Sequence, residues 1–425
     1  MEQKTMKKLI TSAGLVALGV TGMDAAYAPG LGKVESSKLM TYSVTTRGFY
    51  DDNITTASTN PDNAFGFDIR PGATLNLTSL PQTFIRASYF YDLRYYFDRK
   101  PHSADHSHEF ALNAEHAFSE RYKLNFDESF VYSQEPEVIG DVGITIRNPA
   151  SAYRNVANLK FNSRLTESLG ARLVYGNTWT AYSDSGPLSR SARLDRTEHE
   201  VRAEGSWVID PKLVARTGYK LNVVGYAGSL VSDNLGGTFR SDLRDQTRHT
   251  TYVGADYDFS ARLRATAEAG AALTVYTSQL RASDNLSPYA SANITYVYAE
   301  KSFLQTGLDL ERTSTDLVGD LINGITSDVQ RLSPFVSVTH QLTPRMTISS
   351  SIRYSRLSYT GGRTEGETEG FLSPQLNVDY RINQFLVATA TYNHDRLMSD
   401  DTAGAPLSGR SFTRNRIFLG LTAMY

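Results

Sequence analysis

The feature that most constrains this chain is a two-residue alternation of apolar and polar side chains over unusually long segments. Phe65, Phe67, Ile69, Pro71, Ala73, Leu75 and Leu77 occupy the odd positions of one such segment. Gly66, Asp68, Arg70, Gly72, Thr74, Asn76 and Thr78 occupy the even ones. A strand points alternate side chains to opposite faces, so one face here is apolar and the other polar. The next segment repeats the logic. Ile85, Ala87, Tyr89, Tyr91, Leu93, Tyr95 and Phe97 share one face. Arg86, Ser88, Asp92, Arg94 and Asp98 lie on the other, with Phe84, Phe90 and Tyr96 among them. Strands in soluble proteins average about five or six residues. These run to roughly a dozen, the length that crosses hydrocarbon at a tilt.

The rhythm continues along the chain. It predicts strands near 39–51, 65–78, 83–98, 108–118, 122–133, 152–165, 169–182, 196–208, 213–226, 248–259, 263–276, 287–298, 302–312, 331–342, 346–359, 371–382, 385–397 and 412–425. Connections alternate in kind. Asp210-Pro211-Lys212 and Thr343-Pro344-Arg345 are short turns, whereas 134–151, 227–247 and 313–330 are long and polar. A soluble sandwich has no reason to keep every second connection short. An outer-membrane barrel does, because its periplasmic turns are short and its extracellular loops long. The expected fold is therefore all-β: one transmembrane antiparallel up-and-down β-barrel of about eighteen strands.

Leu286-Ser287-Pro288, Leu332-Ser333-Pro334 and Leu372-Ser373-Pro374 recur, each expected to open a strand. Ile69-Arg70-Pro71 sits inside a comparable one. Proline cannot donate to a ladder and so belongs at a strand start or bulge. The spacing suits a propeller blade as well, but two long strands per period favour repeated hairpins of one barrel.

Residues 1–28 read as a secretory signal: Lys7 and Lys8, an apolar run from Leu9 to Met23, then Ala26-Tyr27-Ala28. Residues 29–38 are expected as a short periplasmic segment and 39–425 as the barrel. The chain has no cysteine, which excludes disulfides, thiol catalysis and Cys-ligated metal. Its 43 basic and 45 acidic residues nearly balance, so no bulk attraction to nucleic acid or anionic lipid is expected. The 25 tyrosines suit a membrane–water interface better than a dry core.

Lipid cannot solvate a polar stripe, so the apolar stripes must face outward. The interface girdles then comprise Tyr122, Tyr132, Trp179, Trp207, Tyr296, Tyr298, Tyr380 and Tyr392, with Tyr425 closing the last strand. The inward stripe carries Arg86, Asp92, Arg94, Lys123, Asp127, Arg154, Lys160, Arg164, Arg172, Glu198, Glu200, Arg202, Glu204, Arg216, Lys220, Asp256, Arg264, Glu268, Asp309, Glu311, Arg331, Arg353, Asp379, Arg381, Arg414 and Arg416. Arg312 and Arg356 fall on the apolar parity near outer strand ends, and Glu128 is an exception to the pattern for which a local bulge is one explanation. Barrels of this size normally leave an aqueous channel, which the long loops could narrow. Because both signs alternate, weak charge selectivity is expected.

The stretch His102-Ser103-Ala104-Asp105-His106-Ser107-His108 could offer metal ligands, but its spacing is loose and a solvated loop tip is the simpler reading. Glu198, Glu200 and Glu204 could pair for acid–base work, but the polar stripe already accounts for them. His199 falls on the apolar parity, and His116 and His340 near periplasmic ends, where interface placement is the default. No nucleotide loop or nucleophile elbow is present, so neither cofactor nor enzyme activity is expected.

Gly48-Phe49-Tyr50-Asp51-Asp52-Asn53-Ile54 ends the first strand. Its Asp-Asp-Asn followed by an aliphatic residue resembles the opening of the β-barrel porin family called type 2. The closing Asn415-Arg416…Leu419-Gly420-Leu421-Thr422 is similar to that family's last strand. The resemblance implies an outer-membrane barrel without catalytic residues, and some members accompany exopolysaccharide export. The terminal amphipathic strand also resembles the signal read by the outer-membrane assembly machinery. The expected function is passive diffusion of small hydrophilic solutes. The alternatives are polysaccharide export, with Phe90 and Tyr96 stacking sugars, and a structural or adhesive barrel.

Overall fold

The computed structural model describes residues 38–80, 82–100, 102–134, 138–139, 144–145, 150–232, 237–277, 284–320, 324–400 and 407–425. The signal reading of 1–28 and nearly all of the 29–38 segment lie outside the described residues.

Eighteen long strands form one antiparallel sheet. In chain order they are β1 (Met40–Asp51), β2 (Ala64–Leu80), β3 (Thr83–Tyr96), β4 (Ala104–Ala117), β5 (Tyr122–Ser133) and β6 (Ala152–Arg164). Next come β7 (Leu169–Tyr182), β8 (Arg196–Asp210), β9 (Leu213–Tyr226), β10 (Gln246–Ser260), β11 (Leu263–Tyr276) and β12 (Asn285–Ala299). The last six are β13 (Ser302–Thr313), β14 (Asp328–Thr343), β15 (Met346–Thr360), β16 (Thr368–Arg381), β17 (Leu386–Met398) and β18 (Phe412–Met424). Each pairs with its chain neighbours. β1 pairs with both β2 and β18, from Ser43↔Met424 to Asp51↔Arg416, and so closes the ring. Closure leaves no unpaired edge, which lipid would not tolerate.

Apolar parity faces outward throughout. Tyr42 and Val44 are exposed on β1 while Thr45, Arg47 and Asp51 are buried inside. Short turns collect at the periplasmic end and long loops at the extracellular end, as this architecture requires.

Two details differ from expectation. β4 begins at Ala104, so His106 and His108 belong to a strand rather than a loop tip. They break the apolar run, which hides the strand's start. The recurrent prolines lie inside strands and do not open them: Pro288 is fourth in β12, while Pro334 and Pro374 are each seventh in their strands. At Pro334 the ladder to β15 skips from Leu332↔Arg356 to Phe335↔Arg353 without changing register. The missing N–H thus costs pairing on one side only.

Candidate functional site: the lumen and its cap

All the charged residues expected inside fall on the inward parity of their strands. Their surroundings divide by height. In the periplasmic half they form water-exposed pairs, Lys123–Glu115 at 3.5 Å, Lys160–Asp127 at 3.0 Å and Arg264–Asp256 at 3.7 Å, with Arg353–Asp309 at 3.9 Å at mid-height. Arg86, Arg164 and Arg381 belong to this half, and Arg154 lies higher, near the start of β6. Asp379 there accepts from Thr389 and Asn377. A cavity of about 580 Å³ is lined here by Lys123, Arg164, Arg172, Glu204, Arg216 and Asp256.

One stretch of wall is denser. Arg202 bridges Glu204 (2.9 Å) and Glu268 (3.0 Å), and Arg216 meets Glu268 at 2.9 Å. Tyr252 donates to Glu204 and Tyr289 to Glu268. Arg172 adds a contact to Glu204 at 3.4 Å, and Lys220 approaches Glu200 at 3.9 Å. The glutamates named as an acid–base candidate are therefore ion-pair partners; Glu198 pairs with Arg196 at 2.6 Å.

Toward the extracellular end the same stripe becomes a packed interior. Arg47 makes two 2.8 Å bonds to Asp68, Arg416 meets Asp395 at 2.6 Å, and Arg331 meets Glu311 at 2.5 Å. Arg414 holds Asp51. Arg94 lies 4.0 Å from Asp68, with Asp92 buried nearby. The side chains of Arg414 and Asp68 are 0% exposed, against 51% for Lys123. Exposure thus falls from water-exposed pairs below to buried pairs in the upper lumen.

Above these pairs the described parts of the extracellular loops pack into a cap. Helix α1 (Arg190–Leu194) sits in the 183–195 loop. Ser189 caps it by accepting from the Ala192 N–H, satisfying an otherwise orphan donor. Leu194, Leu317 and Leu407, from three different loops, pack into one apolar cluster. That cluster also contains Ala152 and Tyr182 of β6 and β7, and Val329, Leu357, Tyr359, Phe371, Leu397 and Phe412 of β14–β18. β6 and β15 stand nine places apart in a ring of eighteen, so the cluster reaches from one wall to the opposite one. A second cluster joins Ala192, Val231, Phe239, Val318 and Ile325.

Charges pin these loops together. Arg410 bonds Glu369 at 2.8 Å and Asp316 at 3.0 Å, and Arg190 reaches Asp316 at 3.5 Å. Burial pushes the Asp316 carboxyl up, but the Arg410 and Arg190 guanidiniums more than reverse this and hold it at about 2. Arg244 lies against the Tyr226 ring and donates to the Arg193 carbonyl (2.8 Å) and the Thr315 carbonyl (2.5 Å). It rivets three loops. The sequence gives no hint of these residues, because the loops lack a repeating pattern.

The girdle residues all point outward, and Tyr122, Trp179, Trp207, Tyr296, Tyr380 and Tyr425 are exposed. Tyr132 and Tyr298 are half-buried. Tyr392 lies mid-strand, seventh of thirteen residues in β17, rather than near an end. Glu128 does face outward, and no bulge rescues it: β5 keeps its register with both neighbours. Asn155 donates to it at 3.0 Å. Among the described residues no group of three or more His, Asp or Glu is placed to hold a metal.

A family model described as "Putative beta-barrel porin 2" matches residues 171–425. The chain belongs to this porin family. It is a bacterial outer-membrane protein. The match spans the closing strand but not the Asp51-Asp52-Asn53 opening. Among solved structures, the fold resembles the outer-membrane protein OpdK of Pseudomonas aeruginosa (TM-score 0.48, 12% identity, 91% of this chain and 99% of that one). It also resembles the siderophore receptor PirA of the same organism (0.41, 8%, 92% and 80%) and the FrpB iron transporter of Neisseria meningitidis (0.46, 8%, 92% and 81%). No curated protein matches. None of these likenesses brings a residue role to this porin.

Proposed function

We propose that this porin is a conduit for small hydrophilic solutes whose extracellular mouth is held shut by its own loops and opens when they part. The observation that carries the reading is the exposure gradient. Water-exposed charges such as Lys123, Lys160 and Arg264 line the lower lumen, beneath a cap held by Asp316 and Arg410. A structural barrel needs no solvated interior, and an unregulated pore needs no ordered cap.

The export reading draws no support from the aromatics named for it. Tyr96 is 1% exposed, packed against Phe49, and the Arg70 guanidinium covers the Phe90 ring at 4.9 Å.

Planar-bilayer recording tests the proposal. The wild type should conduct rarely and briefly. Asp316→Ala breaks the pair with Arg190 and leaves Arg410 held by Glu369 alone, a loss of up to about 3–5 kcal/mol for a broken buried pair, and should open the pore far more often. Silence from both proteins would sink the conduit reading.

A further inference from the structure

A second pattern lies on the outer surface, where the channel reading does not reach. Five histidines of the outward face stand toward the extracellular strand ends; His394, on β17, meets the Asn415 side chain at 2.8 Å, and the other four gather between β4 and β10. His106 and His108 are third and fifth in β4, His199 is fourth in β8, and His249 is fourth in β10. Each meets a tyrosine hydroxyl on the preceding strand through Nδ1: Tyr91–His106 at 2.7 Å, Tyr89–His108 at 2.8 Å, Tyr175–His199 at 3.0 Å and Tyr219–His249 at 2.6 Å. In all four the tyrosine sits two residues from the histidine's register partner, so one diagonal geometry recurs. With Nδ1 engaged, Nε2 is the remaining polar atom of each ring. The belt continues as aromatic contacts, His108–Tyr132 at 5.8 Å, Tyr132–Tyr153 at 5.0 Å and Tyr153–Trp179 at 6.4 Å.

The charge around this belt is sparse. The outward positions of β3 through β11 carry no Lys or Arg and one acid, Glu128, four residues from Tyr132 along β5. His106 and His108 face Tyr89, Tyr91 and Tyr132. His199 faces Tyr175, Asn177 and Val223, and His249 faces Tyr219, Leu221 and Leu273. These histidines are therefore the imidazole nitrogens that this half of the outer wall presents toward its extracellular rim. Histidine is the side chain that ordinarily gains charge between about pH 8 and pH 5.

We propose that the belt is a contact surface for anionic phosphate headgroups of outer-leaflet lipid, tightening as the pH falls. Nε2–H donates to phosphate oxygen, while each tyrosine fixes the ring it bonds. A second copy of the chain fits less well, because the belt offers four like-charged groups to its own image.

The test uses the full chain in phosphatidylcholine vesicles with spin-labelled phosphatidylglycerol, whose single charge is constant over this range, or spin-labelled phosphatidylcholine. The association ratio of the two probes should rise at least about twofold from pH 8 to pH 5.5, given the strength of single cations near a membrane surface. Replacing all four (His106→Asn, His108→Asn, His199→Asn, His249→Asn) should remove most of that rise. His116→Asn with His340→Asn, at the other end, should leave most of it. Should the fourfold variant fail to fold, the pairs His106→Asn/His108→Asn and His199→Asn/His249→Asn should each remove part. A ratio that ignores pH, or a rise that survives all four changes, overturns the proposal. So does displacement of the lipid by inorganic phosphate at matched ionic strength, or by protein–protein crosslinks that grow with acidity.

Discussion

Aromatic rings on the polar parity looked, in sequence, like surfaces for a solute. The structure gives them another role. Phe49 lies opposite Gly66, Phe90 opposite Gly72, Tyr252 opposite Gly218 and Phe335 opposite Gly307, each a direct register partner. The ring lies where a neighbouring side chain would be. A Cβ on Gly218 would fall 2.2 Å from the Tyr252 ring, so that residue must stay small. Gly218→Ala should therefore cost about 1–3 kcal/mol by overpacking and weaken the Tyr252–Glu204 bond. The midpoint of urea unfolding from vesicles checks it; an unchanged midpoint refutes this account. The signal was legible in principle, as a strand glycine and an aromatic on the same polar parity, but only register makes them partners. Glu128 is the converse: parity pointed it outward unless a bulge turned it, and only the unbroken β5 register and the β5–β6 pairing fix its direction and its partner Asn155.

Elements were more legible than residues, because a two-residue period survives small errors at either end. All eighteen strands were readable; β4 began early because His106 and His108 interrupt its grease. The family-like motif gains a physical meaning at this scale. Asp51 binds Arg414, Asp52 accepts from the Asn415 N–H and side-chain amide at 2.6 Å each, and Asn53 donates to the Thr413 carbonyl at 3.0 Å. Three consecutive residues of the first strand's end thus clasp the start of the last, where the ring closes. Asp52→Ala removes charge-assisted hydrogen bonds worth about 1.5–3 kcal/mol each. It should lower the temperature at which the barrel unfolds on a heat-modifiability gel by several degrees. A wild-type transition would show that β1 and β18 hold without it. The cap loops stayed illegible for the opposite reason: their contacts join residues far apart in sequence, with no period to announce them.

For the whole molecule, pH should act on the cap later than on most carboxylates. Asp316 is held near 2, below its ordinary 3.8. A depressed carboxylate pKa means the latch is fully present above about pH 4 and is lost as pH falls toward 2. Pore opening, read as conductance, should therefore be steady in Asp316-dependent fashion from neutral pH to about pH 5 and rise only in stronger acid. Opening that begins near pH 6 would place control elsewhere. The mixed signs lining the lower lumen fit weak charge selectivity once it is open.

Leu194, Leu317 and Leu407 share one cluster with strands from opposite walls. On the gating proposed above, no single loop can swing away without exposing the grease of the other two, which leaves no half-ajar position. Current traces from such a gate should jump between two levels like a toggle, and the same tie-beam should keep the ring round while it is shut.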